Sequence, residues 1–403
     1  VRPAFLTREG EPYVPVNYDR AWRGPVLLRR ALASSYNLVT VKVLDHIGLE
    51  RMITLARAMG ITTFDDADRF GLALTLGGGE VRLLELTAAY GALANGGYRV
   101  EPITITRVGD SEGRILKMWS GGPHERGLDE RGAYLITDIL SDNYARGPAF
   151  GENSALNLTR PAAVKTGTTT DWRDNWTVGY TPDLVVGVWA GNADNEPMRN
   201  VTGVTGAAPI WHDVMETLLK GRPVREFVEP PGMVRVEVCA DSGLLPVEGS
   251  GVRDQGSGVR DQGSGIKDQG SGTRAVRCPY TVRELFVEGT QPTRVDDWHW
   301  EYRLDARNGL LAGSDCPPEY TVVERFTRYP AEAADWVRWQ EIPQPPTAYS
   351  PLCPAPEAGI GDQGSGIEGQ SPDSQALIPN RLLLTSPDPN ARYRLSHAVP
   401  ASA

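Results

Sequence analysis

The sequence has little of what several large classes of protein require. It contains no apolar run close to the roughly 20 residues that span a bilayer, so no membrane helix is expected within it. Positive charge is in deficit, with 41 Lys and Arg against 51 Asp and Glu and a net charge of −10. That balance argues against nucleic acid as a partner, because its phosphates are held by clustered cations. Histidine occurs only singly, at His46, His124, His212, His299 and His397. The nearest thing to a ligand pattern, His212-Asp213-x-x-Glu216, reads as a solvated helix face, and no metal or other cofactor is expected. The four cysteines (Cys239, Cys278, Cys316, Cys353) show no C-x-x-C spacing and no neighbouring histidine, which disfavours a zinc site. The sequence contains no signal peptide, but it starts at Val1 rather than Met and opens in mid-pattern, so it is read as part of a longer chain.

Much else is present. The 403 residues are 40% hydrophobic and 23% charged, enough to bury more than one core. From Asp19 to Lys220 the texture is helical and strand patterning with short turns. Glu229-Pro230-Pro231-Gly232 then interrupts it, since consecutive prolines continue neither a helix nor a central strand. Beyond lie short β-rich runs and all four cysteines. An even number of cysteines confined to one half favours two disulfides in an extracytoplasmic setting, with four buried thiols as the alternative. Sequential pairing is one of three possibilities. A seven-residue repeat, GSGVRDQ at Gly249–Gln255 and Gly256–Gln262 and GSGIKDQ at Gly263–Gln269, recurs in part at Asp362–Ile367. With one apolar residue and two glycines per unit, it is expected to be a flexible surface loop.

In the first half, Gly24-Pro25 precedes a helical run to Ser35, and Leu49–Met59 is a second helix closed by Gly60. Val39–Leu44 is β-branched and alternating, so propensity alone makes it a strand. Leu76-Gly77-Gly78-Gly79-Glu80 reads as a capped turn opening the buried helix Glu80–Asn95, not as a phosphate loop, because no Lys-Ser/Thr follows. Gly132–Asp142 is helical. Pro161–Thr168, Asn175–Thr181 and Leu184–Gly191 are strand-like and so closely spaced that they must run antiparallel. Ala207–Lys220 closes the region as a helix. Helices before and after an antiparallel meander make an α/β layered domain. In the second half, Trp298-His299-Trp300 reads as alternate packing on a sheet.

The most informative string is Lys165-Thr166-Gly167-Thr168-Thr169, on the first strand of the meander. Upstream, Ser35-Tyr36-Asn37 ends the first helix. S-x-N and K-T-G, in that order, are two of the three elements of a serine acyl-transfer site, the third being S-x-x-K. Four strings carry a wider resemblance: ALASSYN (Ala31–Asn37), LTLGGGEVRLLELTAAYGALANGG (Leu74–Gly97), AVKTGTTTDWRDNWTVGYTPDLVVGVWAGN (Ala163–Asn192) and AAPIW (Ala207–Trp211). They resemble the transpeptidase domain of class A penicillin-binding proteins. VCADSGLLP and CPYTVRELFVEGTQPT are similar to the tail of the 1C-type branch, and LLLTSPDPNARYRLSHAVP to the opening of its closing β-sandwich.

The resemblance implies a penicillin-recognising, serine β-lactamase-like α/β fold, with an antiparallel sheet flanked by helices and a β-rich tail. It makes Val39–Leu44 a helix. The implied organisation is a transpeptidase domain over 1–222, a linker at 223–233, a cysteine-containing β-rich region over 234–357 with the repeat insertion at 249–272, a linker at 358–378, and a truncated β-sandwich at 379–403. The implied activity is a D,D-transpeptidase that crosslinks peptidoglycan stem peptides through a serine acyl-enzyme. The implied partners are D-Ala-D-Ala stem peptides, β-lactams and other cell-wall synthesis proteins, at the outer face of a bacterial membrane to which a longer protein is anchored. A D,D-carboxypeptidase or β-lactamase of the same fold, and a non-catalytic cell-wall scaffold, are the alternatives. Residue by residue, the resemblance makes Ser35 a proton relay, Asn37 a holder of the substrate amide and Lys165 a fixed cation. Thr166 and Thr168 offer hydroxyls to the substrate carboxylate. Gly167 leaves room for an antiparallel substrate, and the Thr168 N–H is an oxyanion donor. No S-x-x-K precedes Ser35, and the one such string, Ser264–Lys267, lies in the repeat. The chain by itself is therefore expected to be inactive.

Overall fold

The structure is a computed structural model that describes residues 5–6, 10–122, 125–169, 172–248 and 273–353. The repeat at 249–272 and the expected segments at 358–378 and 379–403 lie outside the described residues. Among the described residues no helix is long and apolar enough to cross a membrane.

The first half is built on a three-stranded antiparallel meander, β1 (Ala163–Thr168), β2 (Asp174–Thr181) and β3 (Leu184–Gly191), with β1 and β3 at its edges. Before it come α1 (Leu28–Ala33), α2 (Asn37–Ile47), α3 (Leu49–Ala58), α4 (Leu83–Ala94), α5 (Glu130–Ser141) and α6 (Asn143–Phe150), and after it α7 (Ala207–Leu219). Side chains alternate between the faces of a strand. Ala163 and Tyr180 accordingly pack with Leu93, Ala133 and Leu140 of α4 and α5, whereas Val164 packs with Trp211, Met215 and Leu219 of α7. The sheet thus lies between two helical layers. Gly179 permits this closeness, since a Cβ there would come within 2.5 Å of the Trp211 ring.

Val39–Leu44 is helical, as the resemblance requires and against its local propensity. Val41 and Leu44 are buried on the inner side of α2, and packing of that face outweighs the small preference of valine for strands. The first helix starts at Leu28, three residues after Pro25, and the glycine run follows a 3-10 turn (Leu72–Leu76) that Gly77 ends in the left-handed region.

In the second half β4 (Met233–Cys239) pairs antiparallel with β6 (Thr281–Val287). Between them in sequence lies β5 (Arg274–Ala275), which joins β7 (His299–Asp305) and β8 (Thr321–Thr327) in a second sheet. A short helix, α8 (Ala334–Trp339), follows. Trp300, Tyr302 and Leu304 of β7 enter the core of this module. On the alternate positions, buried His299 is held between the carboxylates of Asp296 (2.6 Å) and Asp241 (3.0 Å). Of the three possible cysteine pairings the structure has the sequential one, Cys239–Cys278 and Cys316–Cys353.

Candidate active site

Helix α1 ends in a Schellman turn: the Ser35 N–H donates to Leu32 O (3.2 Å) and the Tyr36 N–H to Ala31 O (2.9 Å). This motif places its penultimate residue in the left-handed region, where glycine is usual. Here that residue is Ser35, at φ 58°. A side chain costs on the order of 1–2 kcal/mol in that conformation, so the hydroxyl is retained against a conformational penalty, as occurs at functional sites. An expected consequence is an inverted substitution order. Both Ser35→Gly and Ser35→Ala lose the hydroxyl, but the glycine variant should be the more stable by about 1 kcal/mol in urea unfolding, whereas in an ordinary helix alanine wins.

Asn37 opens α2, and its Nδ2 donates to Val16 O at 2.9 Å. The helix lacks a cap from its own preceding residue, Tyr36, and the side chain of Asn17 supplies one by accepting the Leu38 N–H at 3.2 Å. Asn17 is itself buried and donates to Ala21 O at 2.8 Å. The turn Ser34–Asn37 therefore rests on the extended segment before α1, and Ser34 Oγ donates to Ala145 O of α6 from below (3.0 Å).

Lys165 reaches this turn from β1. Its Nζ donates to Ser35 Oγ at 2.6 Å and to Thr166 O at 2.8 Å, joining residues 130 apart in sequence. Burial, reinforced by the neighbouring Arg146 guanidinium, pushes the Lys165 ammonium down to about 8. Arg146 is 3% exposed and donates through Nη2 to Leu140 O, while its Nη1 has no hydrogen-bond partner among the described residues. Burial lowers its own pKa to about 10.

The remaining expected residues divide by strand alternation. Gly167 shares the Lys165 face. Thr166 and Thr168 stand on the opposite face, paired across the ladder with Thr177 and Asn175. That face is covered by the turn Val201–Gly206. The Gly203 N–H donates to Thr168 Oγ1 (2.9 Å), Thr177 Oγ1 donates to Gly203 O (3.1 Å) and Asn175 Nδ2 donates to Val201 O (2.9 Å). Ser35, Asn37 and Lys165 thus meet around one turn, whereas the Thr168 hydroxyl is occupied in fastening a loop beneath the strand. Two residues of the site escape sequence reasoning. Asn17 looks like an ordinary turn asparagine, and Arg146 like a solvated helix cation.

A sheet between two helical layers, with an S-x-N turn bonded to the lysine of a K-T-G edge strand, is the arrangement of the penicillin-recognising class of fold. Within that class the sequence matches the penicillin binding protein transpeptidase domain over residues 4–216, just over half of the chain, and the chain belongs to that family. It is 35% identical over 244 residues to penicillin-binding protein 2D of Bacillus subtilis, covering 59% of this chain and 34% of that protein. It is 36% identical over 230 residues to penicillin-binding protein 1A of Neisseria lactamica, covering 56% of this chain and 28% of the relative. The chain thus spans about a third of the length of these curated relatives. Among solved structures, penicillin-binding protein 1A from Haemophilus influenzae shares the fold, with a TM-score of 0.58 over 73% of this chain and 44% of that one at 22% identity.

Proposed function

We propose that this chain supplies the S-x-N and K-T-G parts of a peptidoglycan D,D-transpeptidase site, in an extracytoplasmic protein whose nucleophile lies outside these 403 residues. The observation that carries the reading is the Lys165 Nζ to Ser35 Oγ hydrogen bond of 2.6 Å. A cation held against a hydroxyl is what a proton relay beside a developing oxyanion needs. β1 adds a second feature. As an edge strand of its sheet it can take an extended peptide by strand addition, and Gly167 presents no side chain to obstruct it.

In this mechanism a serine from an S-x-x-K segment attacks the carbonyl of the penultimate D-Ala. Ser35 passes a proton from the general base to the leaving amine, D-Ala departs, and an amine of a second stem peptide then takes the acyl group. Asn37 would hold the substrate amide. Lys165 would attract the terminal carboxylate and the Thr168 N–H would donate to the oxyanion, whereas the Thr166 hydroxyl, on the face of β1 opposite Lys165, would have to reach that carboxylate around the strand edge. The Thr168 hydroxyl accepts from Gly203, and we assign it chiefly to holding the Val201–Gly206 turn. β-Lactams would stop the same sequence at the acyl stage. The domain division at 223–233 and the 1C-type character of the tail belong to the same proposal.

The absence of S-x-x-K before Ser35 specifically favours one competing reading, a binding scaffold with no chemistry of its own. A chain extended with its upstream sequence separates the two. The enzyme releases D-alanine from a stem pentapeptide and transfers the remainder to an added amine. A scaffold binds the peptide and releases nothing.

A further inference from the structure

Segment 17–29, which caps α2 and leads into the Ser35 turn, is gripped from two sides by the cysteine-bearing module. On one side Arg29 of α1 makes a fork with Glu284 of β6, its Nε at 2.9 and 3.0 Å from the two carboxylate oxygens and its Nη2 at 2.6 Å. The same guanidinium holds Asp138 of α5 (2.5 Å) and Asp142 (3.3 Å). The Arg29 and Glu284 side chains are only 17% and 14% exposed. On the other side Trp336 of α8 donates its indole N–H to Trp22 O at 3.1 Å, and its ring covers Gly24 so closely that a Cβ there would come within 2.4 Å. Trp339 lies against Trp22, with ring centroids 6.3 Å apart. Leu27 approaches Gly243 between the two grips. Both grips fall between Trp22 and Arg29, upstream of Ser35; the module also meets α5, where Arg235 of β4 lies 3.7 Å from Asp138. Asn17, which caps the helix carrying Asn37, heads the gripped stretch.

We propose that the cysteine-bearing module is part of the site machinery: through Glu284–Arg29 and Trp336–Gly24 it fixes the segment before α1 and so holds the Ser35–Asn37 turn against Lys165. Arg29, Glu284 and Trp336 are positioning residues, since none touches the groups assigned to chemistry. The significance for catalysis rests on the reading of Ser35 and Lys165 given above, but the coupling itself is measurable in this chain whether or not that reading holds.

The experiment compares Glu284→Gln, which keeps the shape of the fork and removes its charge, with Trp336→Ala on the opposite grip. Arg325→Ala is the control, because it removes an exposed cation from buried Glu301, which Arg274 still holds at 2.7 Å, inside the module and away from both grips. Two readouts are taken on the full chain: amide hydrogen exchange over residues 32–40, and the pH midpoint of Lys165 acetylation by acetic anhydride, read by mass spectrometry. Each grip variant should exchange about tenfold faster over 32–40. Each should also move the Lys165 midpoint from about 8 toward its ordinary 10.5 as water enters. The control should change neither. Wild-type values for both readouts in both grip variants overturn the proposal. So does faster exchange with an unmoved Lys165 midpoint, because the coupling then stops short of the site, and so does an equal response in Arg325→Ala, which would reduce the effect to general loosening of the module.

Discussion

Lys165→Ala, placed in a chain that also carries the S-x-x-K segment, should slow acylation by penicillin about 100-fold or more. In the structure the Ser35 hydroxyl lies at hydrogen-bond distance from the Lys165 ammonium. Removing that donor would leave the proposed relay without its orienting charge and the proposed substrate carboxylate without its cation. Losses of about 2.7–4 kcal/mol are usual when one preorganised electrostatic group is taken from a developing charge. Lys165→Arg should not restore the rate, because a planar guanidinium cannot replace a compact ammonium in a site that already holds the Arg146 guanidinium. Burial and Arg146 have brought the lysine down to about 8, so its charge is largely present at pH 7 and largely gone by pH 9. The advantage of wild type over Lys165→Ala should therefore shrink as pH rises through that interval. Stopped-flow acylation rates across pH 6.5–9.5 measure this, and a constant ratio would remove the charged form of Lys165 from the mechanism.

Arg29→Ala should be the most destabilising of the exposed-looking substitutions, by about 3 kcal/mol. The guanidinium neutralises Asp138, Asp142 and Glu284 together. Its charge is strengthened because, although burial opposes it, the hydrogen bonds it donates to Glu284 and Asp138 outweigh that cost. Removing Arg29 takes the cation from Asp142 and Glu284 and leaves Asp138 only Arg235, at 3.7 Å; such a loss costs roughly 3–5 kcal/mol in fully buried examples, and the residual exposure here places the value at the low end. Without Arg29 the three carboxylates repel one another across a partly buried interface. Protonation relieves the repulsion, so the stability gap to wild type should narrow as pH falls from 7 toward 4. Urea unfolding at several pH values measures the gap, and a pH-independent loss would mean that packing, not charge, is what Arg29 contributes.

Much of the fold was legible because it depends on local pattern. The spacing of the three strands admits only antiparallel neighbours, and Leu184–Gly191 occupies the expected residues. Val39–Leu44 shows the limit of propensity. Its valines prefer a strand by a few tenths of a kcal/mol, and only burial against the rest of the domain makes it a helix. Within the site, Ser35 and Lys165 were recognisable as strings, but not their contact, since nothing in a Ser-Ser pair announces a left-handed turn. The placing of Thr168 beneath the strand was also hidden, because it depends on a loop, Val201–Gly206, that returns from 35 residues downstream. Arg29 and Glu284 are 255 residues apart. No local pattern connects them, and their pairing follows only from how the two halves pack.

The most direct test is fluorescent penicillin labelling of the 403-residue chain beside the same chain extended upstream to the S-x-x-K segment that the proposal requires, with the labelled peptide mapped by mass spectrometry. The account predicts no covalent label on the chain as it stands and one label per molecule on the extended chain, at the upstream serine. A label anywhere on the shorter chain, or an extended chain that folds and stays unlabelled, would contradict it.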